Sequence, residues 1–446
     1  MASFTDSALA GIGAVAARAA WEGGMSVLRP DGSVVPIPLV AEPEVYPRER
    51  LAALASEAHA ILSGAVKLAR ALLAQGDARD REALLGPFQG LEAEAMTRLF
   101  TEAPCPAVVA RVDFLPTEDP AAAPRALELN ATIPAMPGYA ALAAHSWLRA
   151  AAQARGMTPR QANELVAAAG SNMENLRAAL VAFHAARGGA KARPSIALVA
   201  RPGDAQIGEL RRLADHFRQM GHEVANLTPA GCEPERWDLL YRHVWAHNTP
   251  PDSPFARALR APARFVLANP VNGMLEAKAL FARLSECAED AGLAARAGLD
   301  ERELAAARRL PRTRRLDAAL APAVVAERER WVLKRSWDYG GKSVRLGAET
   351  EPGPWARLVA EAAADLRGGG FVAQERVFAV LRPATRVTPE GVSVAPLYRD
   401  VSTYCGLGPD APSGSVVRAA ASPIVNILGG GGLAPVIPED VLARLA

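Results

Sequence analysis

Three rhythms of apolar and polar positions succeed one another along the chain. Over residues 1–100 the apolar positions recur mostly at helical spacing, with one interruption. There, 26–28, the turn Pro30-Asp31-Gly32 and 34–37 read as strand, turn and strand. Helical patterns follow over about 48–75 and 80–101. Next come two short strands, 107–114 (AVVARVDF) and 125–130 (RALELN), joined by the breaker-rich LPTEDPAAAP. Residues 140–187 return to the helical period until Gly188-Gly189 ends it.

The third rhythm alternates. Strand patterns at 195–200, 223–227, 237–244 and 264–267 are interleaved with an amphipathic helix over 207–220 that Gly221 closes. This alternation predicts a parallel, doubly wound unit. A helix over 275–288 follows, and the charged stretch 301–330 reads as helical. From Trp331 the chain turns to strands: WVLKR, GKSVRLG, then FVAQERV after a helix, VSVAPLYRDVSTY and SVVRAAAS. Four consecutive glycines, Gly429 to Gly432, stand near the end, and no internal repeat is present.

A length of 446 residues implies roughly two to four domains. The 50 basic and 48 acidic side chains leave a formal charge of +2, which predicts neither a nucleic-acid stripe nor a polybasic membrane patch. Charge on a ligand must then be met by a few local groups. No run approaches the roughly 18 apolar residues of a membrane span, and residues 1–20 lack the basic start of a signal peptide. Cys105, Cys232, Cys287 and Cys405 are far apart in sequence, which suits free thiols in a reducing cytoplasm. The seven histidines show neither metal-like nor triad-like spacing.

Chemistry concentrates in five places. Arg111-x-Asp113 and Glu128-x-Asn130 each lie on a strand, so each pair shares one face. If the strands pair, three oxygen ligands and a guanidinium converge, a donor set that suits Mg²⁺. Solvated strand faces would carry the same letters. Lys334 ends an apolar strand before Asp338-Tyr-Gly340-Gly341-Lys342-Ser343, where glycines would let N–H groups approach phosphate oxygens. This is no P-loop: Ser336 stands at the first glycine position, and a strand follows instead of a helix. Gln374, Glu375 and Val377 lie on or beside a short polar strand that could read a nucleotide base. Lys278 follows Asn269-Pro270 at a helix start. Arg418, with Asn426 and the glycine run nearby, could hold a phosphate or carboxylate bidentately.

In this order the motifs resemble the circularly permuted ATP-grasp proteins, in particular the synthetase part of glutathionylspermidine synthase-like enzymes. The phrase LELNATIPAMPGY is the most specific match, Asp238-Leu-Leu-Tyr-Arg242 is similar to the segment preceding the ATP-grasp unit, and the likeness spans roughly 105–432. RVDF and LELN precede WVLK by about two hundred residues, which is the permuted order.

The resemblance implies an α/β (α+β) fold: a permuted ATP-grasp unit with an inserted doubly wound pre-ATP-grasp domain. The expected division is 1–104, a mainly helical region; 105–190, the strands with the metal site plus helices; 191–272, the Rossmann-like domain; and 273–446, the nucleotide-binding lid and C-terminal strands. It implies ATP and Mg²⁺ as cofactors, with Asp113, Glu128 and Asn130 on the metal. Arg111 and Arg418 would serve catalysis. Lys278, Lys334, Gly340, Gly341, Ser343, Gln374, Glu375 and Val377 would hold the nucleotide. Asn426 would face the phosphates or metal.

The implied activity is an ADP-forming carboxylate–amine ligase in the cytoplasm, acting on small-molecule or peptide substrates through an acyl phosphate, with no nucleic-acid or membrane partner. After E-x-N the family has a D-x-P-T-like run, whereas Ala131-Thr132-Ile133-Pro134 stands here, and no amidase domain is present. Glutathione and polyamine specificity therefore do not carry over. Two other readings compete: a catalytically inactive nucleotide-binding relative, and a sugar-nucleotide transferase suggested by the alternating segment.

Overall fold

The computed structural model describes residues 4–117, 119, 122–338 and 340–445. Helix starts follow local chemistry. Thr5 caps Asp6–Glu22, Asp77 caps Ala78–Leu85, and Thr158 with Gln161 forms a reciprocal capping box on Pro159–Ala169. Helix Arg48–Gln75 is, by length and composition, apolar enough to cross a membrane, contrary to the sequence expectation. Its alanines and leucines are instead committed to the core: Leu54, Ala58, Ile61, Leu62, Leu68 and Leu72 are buried in the largest apolar cluster.

Three sheets organise the chain. The largest runs Leu381–Thr388, Leu39–Val40, Gly432–Ala434, Ser415–Ala420, Gly391–Cys405, Ala110–Leu115, Arg125–Asn130. Leu381–Thr388 also pairs with Gly391–Cys405, so the first five strands close into a ring and the last two extend from it. A second, antiparallel sheet has the order Thr313–Arg315, Phe371–Glu375, Trp331–Arg335, Arg345–Leu346. The third is parallel: Leu267–Ala268, Leu239–His243, Ile196–Ala200, Val224–Leu227. Its apolar strands are buried, as a doubly wound unit requires.

Several sequence expectations are corrected. Residues 301–330 are not continuously helical. Glu301–Arg309 ends before Pro311, and Thr313–Arg315 is a strand paired with Phe371–Glu375. The stretch 80–101 is broken at Gly86-Pro87 into Ala78–Leu85, Gly90–Thr97 and Leu99–Glu102. Residues 140–187 form three helices, Pro137–Ala154, Pro159–Ala169 and Asn172–Ala186. The strand expected at 264–267 is only Leu267–Ala268, and GKSVRLG contributes only Arg345–Leu346.

Candidate active site

Strand alternation and register build one wall of a cleft. Arg111 lies opposite Asn130, and Asp113 opposite Glu128, across Ala110–Leu115 and Arg125–Asn130. On the other side Tyr404 faces Arg111, Ser402 faces Asp113, and Asp400 faces Arg418. Directly opposed residues share a face in an antiparallel sheet, so these side chains rise from one surface.

Four of them interlock. Arg111 donates from Nε to Asp113 Oδ1 (2.7 Å) and from Nη2 to Oδ2 (3.1 Å). Arg418 donates from Nη2 to Asp113 Oδ2 (2.8 Å) and grips Asp400 through Nε (3.0 Å) and Nη2. Asp113 is only 2% exposed. Burial works against its charge, but the Arg111 and Arg418 guanidiniums hold its carboxyl well below the usual range. Asp400 moves the other way. Burial raises it, Asp113 adds to the rise, and Arg418 only partly opposes it.

The facing wall comes from the antiparallel sheet. A β-bulge between Asp113 and Phe114 leaves Leu127 without an opposite residue. The Leu127 carbonyl accepts from Gln374 Nε2 (3.2 Å) and is approached by Lys334 Nζ (3.5 Å). Lys334 Nζ also donates to Gln374 Oε1 (2.7 Å), and Gln374 Nε2 to Thr313 Oγ1 (3.1 Å). Burial, reinforced by the Lys278 charge, pushes the Lys334 ammonium down to about 8 despite Glu128 and Asp113. Lys278 opens helix Lys278–Glu286; its Nζ donates to the Asp338 carbonyl (2.8 Å) and lies 3.6 Å from Glu128 Oε2.

Between the walls lies a cavity of about 280 Å³. It is lined by all the side chains singled out in the sequence: Arg111, Asp113, Glu128, Asn130, Lys278, Lys334, Gly340, Gly341, Ser343, Gln374, Glu375, Val377, Arg418 and Asn426. Gly340 and Gly341 both take φ above +70°, which an L side chain rarely adopts. The turn they make is held by Asn426 Nδ2 donating to the Gly340 carbonyl (2.9 Å). Ser343 Oγ accepts from Arg335 N–H (3.2 Å). Glu375 lies at the rim, 3.3 Å from Arg330. Tyr339, in the motif that contains this turn, lies outside the described residues.

Asp400, Tyr398, Phe378 and Ile424 also line the cavity, and no motif in the sequence marks them. Asp400 left a signal: an acid standing inside a long, largely apolar strand. Phe378 left only its aromatic character, and it is 57% exposed.

As to a divalent cation, no group of three or more His, Cys, Asp or Glu among the described residues has metal-holding geometry. On the strands of the first wall, Asp113, Glu128 and Asn130 offer two carboxylates and an amide to the cavity, all hard oxygens of the kind that hold Mg²⁺ alongside phosphates. Asn130 Nδ2 is buried with no hydrogen-bond partner, so its amide has an unmet interaction. The residues present therefore fit a Mg²⁺–polyphosphate group, with Glu128 and Asn130 the donors least committed to guanidinium.

A glutathione synthetase-like effector from Globodera pallida, in its apo form, is similar to this chain over 98% of both chains, with a TM-score of 0.63 at 13% identity. A putative gamma-glutamylcysteine synthetase from Methylobacillus flagellatus KT covers 85% of this chain and 88% of its own at 12% identity, with a TM-score of 0.37 that carries no weight here. No protein-family model and no curated protein matches the sequence. The chain thus shares the mixed α/β fold of that effector over 98% of its length.

Proposed function

We propose that the chain is an ATP- and Mg²⁺-dependent carboxylate–amine ligase of the permuted ATP-grasp kind, acting on small-molecule or peptide substrates in the cytoplasm. One observation carries the reading. Two groups of residues about two hundred positions apart, Arg111 to Asn130 and Lys334 to Val377, line one cavity together with Lys278 and Arg418. That combination of fixed cations, oxygen donors and a glycine turn is what a metal–triphosphate requires.

In this reading a substrate carboxylate attacks the γ-phosphorus of ATP, and the bond to the β–γ bridging oxygen breaks. The products are an acyl phosphate and ADP. An amine then adds to the acyl carbon, phosphate leaves, and the amine loses a proton to the medium. Mg²⁺, held by Glu128 and Asn130 with Asp113 beside them, would neutralise phosphate charge. Lys278 and Lys334 bind phosphate oxygens. Arg111 and Arg418, fixed by Asp113 and Asp400, meet the charge that develops on the transferred group without having to reorganise. The Gly340–Gly341 turn excludes water from the acyl phosphate.

The test is ADP release by the purified chain with Mg·ATP and pooled carboxylic acids and amines, with mass spectrometry identifying the condensed product. ADP formation that depends on both an acid and an amine is expected. Absence of Mg·ATP binding would overturn the proposal.

A further inference from the structure

We infer that the segment 131–138, a loop and the first two residues of the helix it enters, is a positioning strut for this site, set by the paired acids Glu276 and Glu209; the inference rests on the ligase reading. The loop leaves the strand that carries Glu128 and Asn130 and enters helix Pro137–Ala154. Each acid satisfies two of the segment's backbone N–H groups. Glu276 Oε1 accepts from Ala131 (2.7 Å) and from Thr132. Glu209 accepts from Met136 (3.0 Å) and Gly138 (2.8 Å).

The loop's carbonyls are committed as well. Ala131 O accepts from Asn269 Nδ2 (2.6 Å) and Asn272 Nδ2 (3.0 Å). Ala135 O accepts from Arg111 Nη1 (3.0 Å) and Tyr404 Oη (3.0 Å). Between these anchors Met136 sits at φ 87°, the one non-glycine residue with positive φ among the described residues. Its N–H is one of the two that Glu209 fixes, so a disfavoured backbone is held by a hydrogen bond to a buried carboxyl.

Glu209 comes from the parallel-sheet unit and Glu276 from the turn that follows its last strand in sequence. Glu209 follows strand Ile196–Ala200, and Glu276 follows Leu267–Ala268. Ligands of doubly wound sheets usually bind beyond the carboxyl ends of the strands. In this chain polar groups from those ends grip the loop instead. Asn269 extends the grip to the start of the Arg111 strand, accepting from Val108 N–H (2.7 Å) and Val109 N–H (3.0 Å). Arg242 anchors that segment by donating to the Asn269 (2.9 Å) and Pro270 (2.7 Å) carbonyls. The parallel unit therefore sets where Arg111, Glu128 and Asn130 stand relative to Lys278, two residues beyond Glu276.

The test is titration of the full chain with ATP, with and without Mg²⁺, for wild type, Glu276→Ala and Glu276→Gln, alongside melting temperatures. Glu276→Ala should weaken Mg·ATP binding about tenfold and raise the Mg²⁺ concentration needed, with Mg²⁺-free ATP binding changed less than about twofold. Glu276→Gln keeps an oxygen acceptor for the two N–H groups and should recover most of the loss. A lower melting temperature with an unchanged Mg²⁺ requirement would overturn the inference and leave the ligase reading standing. A wild-type chain that binds no Mg·ATP would overturn both. Should Glu276→Ala fail to fold, Glu276→Asp, which keeps the carboxyl but withdraws its oxygens by one methylene, carries the same expectation.

Discussion

The two walls of the cleft present charge in opposite ways. On the sheet carrying Arg111, four side chains, basic and acidic in alternation, hold one another, and three of them are under 9% exposed. On the lid side the buried Lys334 leans on a neutral amide and a carbonyl, beside a two-glycine turn that the Asn426 side chain holds by a hydrogen bond. The first wall cannot adapt: moving any member strands another buried charge. The second can move at low cost. On the proposed ligase reading, a site that neutralises a reacting phosphoryl group and still admits and releases nucleotide needs one wall of each kind.

The sharpest way to break this comparison is to remove one member of the ionic chain. Asp113→Ala leaves Arg111 with no carboxylate partner and Arg418 with only Asp400. A loss of about 3–5 kcal/mol is expected from urea unfolding, together with loss of ADP formation. Ser343→Ala on the lid should cost no more than about 1 kcal/mol, because among the described residues the one hydrogen bond that goes with it is that from Arg335 N–H. Equal costs on the two walls would refute the distinction.

Lys334 sharpens the comparison through pH. Burial depresses it from an ordinary 10.5 to about 8, so the folded state favours the neutral amine. The stability this contributes is present above the ordinary value and is lost as pH falls through about 8. The depression corresponds to about 3 kcal/mol, and Lys334→Met should escape that penalty. Urea midpoints at pH 7 and pH 10 should therefore differ more for wild type than for the variant. Polyphosphate restores the charge, so nucleotide binding near pH 8.5 should take up protons. Calorimetry in buffers of different ionisation enthalpy reads this, and Lys334→Met should abolish it.

How much of this was legible in the sequence depends on the range of each interaction. Arg111, Asp113, Glu128 and Asn130 could be placed on common faces because strand periodicity is local. That the two strands pair with Asp113 opposite Glu128 was only a conditional expectation, and the bulge that turns the Leu127 carbonyl toward Lys334 left no trace in the letters. Asp400 matters because Arg418 stands across from it on another strand, and register between strands is not written in either one. Glu209 and Glu276 act on backbone groups more than seventy residues away, so nothing near them in sequence marks them. Thr313–Arg315 lies in a charged stretch that reads as helical, whereas its strand state comes from pairing with Phe371–Glu375. Leu39–Val40, two residues long, is a strand only because the ring closes through it.

A smaller effect is expected from the turn itself. At Gly341, φ is +73°, and a Cβ would come 2.5 Å from Ile424 Cγ2. Gly341→Ala should disfavour the observed lid position by about 1–2 kcal/mol and raise the KM for ATP roughly tenfold. Its urea midpoint should stay near wild type if the lid is the adaptable wall. A large loss of global stability would mean that the turn is part of the core.

The smallest expected change also separates the walls most cleanly. Asn426 joins the lid to the segment leading into the glycine run. Its Nδ2 donates to Gly340 O, while its own Oδ1 accepts from Leu428 N–H (2.9 Å) and its backbone carbonyl from Gly431 N–H (3.0 Å). Asn426→Ala removes the latch and leaves every member of the ionic chain in place. At about 1 kcal/mol for such a bond, the closed lid loses roughly fivefold in population. Phosphoryl transfer, which depends on the fixed wall, should fall little. Water, which the lid excludes, should gain access to the acyl phosphate. Acid-dependent ATP hydrolysis without amine should therefore rise a few-fold relative to coupled product formation, measured as the ratio of ADP released to amide formed. If that ratio stays at wild-type value while turnover collapses, Asn426 belongs with the fixed charges and the lid is no independent wall.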